Sequence, residues 1–233
     1  MDRYIFWSYT ATLILIAALT ATCLPLEGHA RDMMLSESGV VEVGSALGYA
    51  ICLVIIFLKG KTPFLKTYPY IAILIAACLL RELDFDKRFT SMGLLQSRLY
   101  LSFDTPLHEK LIGLLVITTI LSSVFIALRR HTKNLIVGFF KGEVVAVGFA
   151  LIAALLVISK TFDGFGRKLA SFGVEISPVV NTNLSVVEEV MELGVPILIA
   201  LMLIRTLRLF VSEHSDEYGM AVNKHDNAHQ NPH

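Results

Sequence analysis

Six apolar runs, at residues 5–24, 43–58, 69–88, 111–128, 144–159 and 185–210, constrain this chain more than any motif does. A hydrocarbon core about 30 Å thick needs a helix of about 20 mostly apolar residues to cross it. Inside it the backbone finds no water to bond, so only α-helices and closed β-barrels can span. Barrel strands alternate in polarity along short segments, whereas these runs are long and uniformly apolar. The reading is an all-α integral membrane protein, a bundle of six transmembrane helices within residues 1–211. Residues 212–233, polar and containing His, Asn and Asp, read as a disordered tail. Composition agrees: 17% of the residues are charged and 55% hydrophobic, where a soluble domain carries about 25% charged residues.

Twenty Lys plus Arg balance twenty Asp plus Glu. That balance gives no reason to expect nucleic acid or an acidic substrate as partner. Placement says more. Lys59, Lys61 and Lys66 follow the second run, and Arg129, Arg130, Lys133 and Lys141 follow the fourth. Both loops are expected to be cytoplasmic, which puts both termini in the cytoplasm and the chain in the cytoplasmic (inner) membrane. Segment 26–42, with Glu27, Asp32, Glu37 and Glu42 against Arg31, is expected outside. Residues 1–30 also admit a second reading as a cleaved signal peptide, with Gly28 and Ala30 as the small residues at the cut. Cys23, Cys52 and Cys78 fall in apolar runs. An odd number there argues against a disulfide framework and for small apolar packing groups.

The third run carries the least expected feature. Its uncharged part, residues 70–80, is eleven residues long and then meets Arg81, Glu82, Asp84, Asp86 and Arg88. To cross, it must take some of these charges into the hydrocarbon, at a cost of about 2.5–3.5 kcal/mol each at mid-membrane. The sixth run repeats the pattern: its uncharged part, residues 194–204, is again eleven residues, and Glu188, Glu189 and Glu192 precede it. Glu192 lies thirteen residues before Arg205 and Arg81 thirteen after Tyr68, both about 20 Å at 1.5 Å per residue. The two are therefore expected at one depth on oppositely directed helices. Lys160, directly after the fifth run, belongs at the same end.

Helical spacing stacks Glu188 on Glu192 and Glu82 on Asp86. Such carboxylate pairs repel unless a cation or a proton lies between them. Pro196 cannot donate to the carbonyl of Glu192, and Gly194 lies between the two, so a bend beside the carboxylate is expected. The candidate binding residues are Arg81, Glu82, Asp86, Lys160, Glu188 and Glu192. Catalytic residues are not assigned.

Three functional classes fit. The leading one is binding or transport of an ion or small solute, with the carboxylates holding a proton or cation and Arg81 and Lys160 as switching partners. The second is an enzyme acting on a lipid head group or lipid-linked substrate, with a divalent cation as a candidate cofactor held by carboxylates. The third is an assembly protein whose charges only pair helices. The lipid bilayer is the expected partner throughout, and a homo-oligomer is an option for a bundle this small. No dedicated protein metal site is expected, since no His-x-x-x-His falls in a run. His225, His229 and His233 lie in the polar tail, and His108 reads as a solvated loop histidine. Residues 161–167, Thr-Phe-Asp-Gly-Phe-Gly-Arg, look superficially like the Asp-Gly core of CDP-alcohol phosphotransferases. They lack its Ala and its later Asp pair and read as a turn.

Overall fold

The computed structural model describes the backbone of residues 2–229 apart from 27, 36–38, 89, 92 and 95. The side chains of residues 2, 29, 30, 32, 35, 86, 88 and 213–229 also lie outside the description. The described residues are helical and contain no strand. Helix α1 (Asp2–Cys23) is followed by the short α2 (Gly28–Leu35). Helix α3 (Val40–Ile55) continues through a π-turn at Ile56–Gly60 into α4 (Lys61–Thr67). Helix α5 (Pro69–Glu82) leads into a 3₁₀ turn at Phe85–Arg88 and the single-turn α6 (Ser97–Leu101). Helices α7 (Leu107–Phe140) and α8 (Val144–Phe162) form a hairpin, and α9 (Phe165–Ala170) precedes α10 (Pro178–His229).

Five helical stretches are long and apolar enough to cross a bilayer: Arg3–Cys23, Val40–Thr67, Leu107–Phe140, Val144–Phe162 and Pro178–Ser212. Their outward faces are apolar too. On α7, Leu111, Leu114, Leu115, Leu121 and Phe125 all point away from the protein, which in water would form an apolar patch far larger than soluble surfaces carry. The chain is an all-α, multi-pass membrane protein.

The expected third span differs in extent. It is helical only over the fourteen residues Pro69–Glu82, about 21 Å of helix. Asp84 then takes a left-handed conformation, φ 46°, which a short polar side chain tolerates better than most. Its carboxylate pairs with Lys87 at 2.8 Å rather than with Arg81, and the chain turns away.

Helix α10 is the axis of the bundle and packs on α8, α3 and α1. Val186, Val190, Leu203, Leu207 and Phe210 are buried along it at the i, i+3/i+4 spacing of one helical face. Glycines set its closest approaches. A Cβ on Gly48 of α3 would lie 2.8 and 2.9 Å from the ring atoms of Pro196. A Cβ on Gly194 would press on Ile16 of α1 and stand 3.0 Å from Leu155 of α8. Gly194 thus serves helix packing, beyond easing a bend at Pro196. Such small-residue contacts let membrane helices approach where no hydrophobic drive exists between them. The α7–α8 turn closes on Gly142, φ 70°, with Glu143 N–H donating to the Gly138 carbonyl at 2.8 Å and Gly142 N–H to that of Phe139 at 3.0 Å. This is a Schellman-type stop that glycine suits.

The basic loops meet at one end of the bundle. Arg130 of α7 donates to the Thr67 carbonyl at 3.1 Å and stacks 4.9 Å over the Tyr68 ring. Tyr70 Oη and His131 Nε2 share a hydrogen bond of 2.6 Å. Phe64 and Phe210 complete the aromatic group around Tyr68. Replacing Tyr70 with Phe keeps the rings and removes the hydroxyl that bonds His131. It is expected to lower stability by about 1 kcal/mol, read as a lower midpoint in detergent unfolding.

Candidate functional site

At the opposite end three helices deliver charged groups to one point. Helix α5 carries Arg81 and Glu82 in its last turn, because the chain leaves the helix right after them. Helix α8 carries Ser159 and Lys160 in its final turn before Asp163 and the left-handed Gly164 stop it. Helix α10 supplies Glu192 from its interior.

Glu192 is the hub. Its Oε2 accepts from Arg81 Nη2 at 3.0 Å. Its Oε1 accepts from Lys160 Nζ at 2.7 Å and from the buried Ser159 hydroxyl at 3.0 Å. Arg81 Nη2 also donates to Glu82 Oε1 at 2.7 Å. Lys160 Nζ also stands 3.4 Å from Asp163 Oδ2. Glu82 and Glu192 are mostly covered while Arg81, Lys160 and Asp163 stay about half exposed. Charge-assisted contacts of this length are among the stronger polar interactions, and the opposed cations hold Glu192 in place from both sides.

Glu188 and Glu189 occupy the next turn of α10 and are half-buried. Neither has a cation at ion-pair distance among the described residues. Glu188 lies within electrostatic range of Lys160, Asp163 and Lys168, and Glu189 within range of Glu42 and Glu82. The pair therefore flanks Glu192 on its α8 side and its α3/α5 side. On the inner side the buried Tyr49 of α3 turns its hydroxyl toward the Cys78 thiol of α5.

Of the six residues expected from sequence, Arg81, Glu82, Lys160 and Glu192 are in direct contact, and Glu188 sits one turn away from them. The side chain of Asp86 lies outside the described residues, and its backbone falls in the 3₁₀ turn. Ser159, Asp163 and Tyr49 were not expected. A serine next to Lys160 at a helix end carries no sequence signal that separates a ligand from an ordinary packing residue. Among the described residues no group of three or more His, Cys, Asp or Glu is placed to hold a metal ion.

No protein-family model, curated protein or solved structure matches the chain. The geometry of the cluster is therefore the basis for a functional reading.

Proposed function

We propose that the chain binds, and passes across the membrane, a proton or small cation, or a cationic group on a small solute, at this cluster. The observation that carries the reading is the local charge balance. Among the described residues, Glu82, Asp163, Glu188, Glu189 and Glu192 share Arg81 and Lys160, with Lys168 in electrostatic range of Glu188. Both cations are engaged by Glu192, and Glu188 and Glu189 are left as open acceptors beside it. Uncompensated carboxylates in a low-dielectric setting attract a cation or a proton, and ionisable groups within membrane spans mark ion pathways by default. In this reading α5 completes a sixth, short crossing, the basic loops face the cytoplasm, and the cluster opens outward.

A second reading, a helix clamp without transport, draws support from the full engagement of Glu192. One experiment separates them. Wild type and a Glu188→Gln/Glu189→Gln variant are reconstituted into vesicles with a trapped pH dye, under an imposed proton or potassium gradient. Transport predicts uptake by the wild type that the double variant largely loses while its unfolding midpoint is kept. No uptake by the wild type, or uptake unchanged in the variant, sinks the transport reading and leaves the clamp.

A further inference from the structure

Between α5 and α7 the chain makes a strap whose packing places it beside the membrane-spanning part of α7. Leu99 of α6 is fully buried. Tyr100 lays its ring and hydroxyl over Gly113 of α7 and donates to the Leu94 carbonyl at 2.7 Å. Gly113 belongs to the stretch 111–128 of α7, eighteen residues without a charge, about 27 Å of helix and close to the thickness of a hydrocarbon core. The strap thus runs alongside residues that face lipid.

The charged start of α7 folds onto the strap. Glu109 accepts from the N–H and hydroxyl of Ser91 at 2.8 and 2.9 Å. Lys110 Nζ donates to the Ser102 carbonyl at 2.6 Å. These bonds satisfy strap backbone that water would otherwise have to serve, as irregular backbone near membrane depth requires. Meanwhile Leu101, Phe103 and Leu107 project outward with exposures of 77%, 102% and 70%. Leu107, on α7 itself, continues the outward apolar face of Leu111, Leu114 and Leu115 at helical spacing.

A ruler along α7 gives the depth. The Tyr70–His131 bond ties the start of α5 to the basic end of α7. Glu82 is twelve residues beyond Tyr70 and Lys110 twenty-one residues before His131, so α5 ends roughly 13 Å short of the far charges of α7. The strap fills that band.

We propose that residues 97–107 form an interfacial lipid anchor in the leaflet on the side of the charge cluster, with the exposed Arg98 and Asp104 at headgroup level. Leu101, Phe103 and Leu107 insert among the lipids, and Arg81 and Glu82 lie below headgroup level beneath the strap. The bilayer is the occupant the exposed row fits, because Leu107 stands on the lipid-facing side of α7 at helical spacing from Leu111 and Leu114, and the Ser91 N–H and Ser102 carbonyl of the strap are bonded from α7. The anchor stands whether or not the cluster transports anything.

The test places a tryptophan in the strap. Trp7 is the only tryptophan, so Phe103→Trp in a Trp7→Phe background reports from one position. The protein is reconstituted in phosphatidylcholine vesicles with bromine high or low on the acyl chains. The expected result is blue-shifted emission, several-fold quenching by the shallow bromolipid, weaker quenching by the deep one and little by aqueous acrylamide. Emission as in water, open to acrylamide and indifferent to both bromolipids, overturns the anchor. Leu101→Trp in the same background is measured alongside. If Phe103→Trp fails to fold, Leu101→Trp decides by the same two outcomes.

Discussion

Glu192→Ala is expected to cost the folded protein about 2–3 kcal/mol, somewhat below the 3–5 kcal/mol typical of breaking a fully buried pair. The substitution removes the acceptor for Arg81, Lys160 and Ser159 together. It leaves two cations facing one another across the α5–α8–α10 junction, with only Glu82 and Asp163 still paired to them. The discount reflects the half exposure of Arg81 and Lys160, whose long side chains can snorkel toward the headgroups. Glu192→Gln keeps the shape and one acceptor oxygen and is expected to lose less than half as much. Unfolding midpoints in a detergent titration measure both. A double-mutant cycle of Glu192→Ala with Arg81→Met then isolates the pair, with a coupling of about 1 kcal/mol or more expected for contacting charges. Wild-type stability for Glu192→Ala ends the view of Glu192 as the hub.

Gly48→Leu is the second large effect. Helices α3 and α10 meet there with no room for a Cβ, which would lie 2.8 Å from Pro196 Cβ and 2.9 Å from its Cγ. The obstacle is a rigid ring on a buried residue and cannot swing aside as the end of a long side chain can. Overpacking of this kind costs about 1–3 kcal/mol, and here the expected loss is at the upper end, because the helices must separate along their length. That separation also disturbs Cys52, whose thiol faces the Pro196 carbonyl at 3.4 Å. Gly48→Ala is expected to lose less than Gly48→Leu, and pairing it with Pro196→Gly, which removes both the Cβ and the Cγ it would meet, is expected to recover part of that loss. Unchanged melting of Gly48→Leu contradicts the close approach.

Glu192 shows why part of the site was legible beforehand. A helix rises a fixed distance per residue, so equal separations from the basic end put Arg81 and Glu192 at one level before any contact was known. Lys160, directly after the fifth run, is expected at the same end. Depth is a one-dimensional property of a membrane helix, and sequence carries it. Azimuth is not. Nothing in the spacing says that Ser159 points at Glu192 or that Tyr49 of α3 comes near the cluster.

Asp84 illustrates a second limit. The run of charges after Leu80 continues a helical pattern, and the expected span carried on to residue 88. The chain instead leaves the helix after Glu82, through a left-handed Asp84 whose carboxylate prefers Lys87. Either conformation suits such a polar stretch locally. The turn leads into the strap that bonds α7 through Ser91 and Ser102, a long-range contact that local composition does not carry.

By itself, then, the sequence determined that this chain is a helical membrane protein, and it marked the five runs whose helices are long enough to cross while extending the third too far. Each follows from hydrophobicity summed along a segment and from helical rise. Only the tertiary structure decided which charges bond. It also decided that Gly48 and Gly194 serve helix crossings, and that the third run stops short under a strap held to α7. Those outcomes depend on rotation and translation of helices past one another, which local composition leaves open and which close packing of side chains selects.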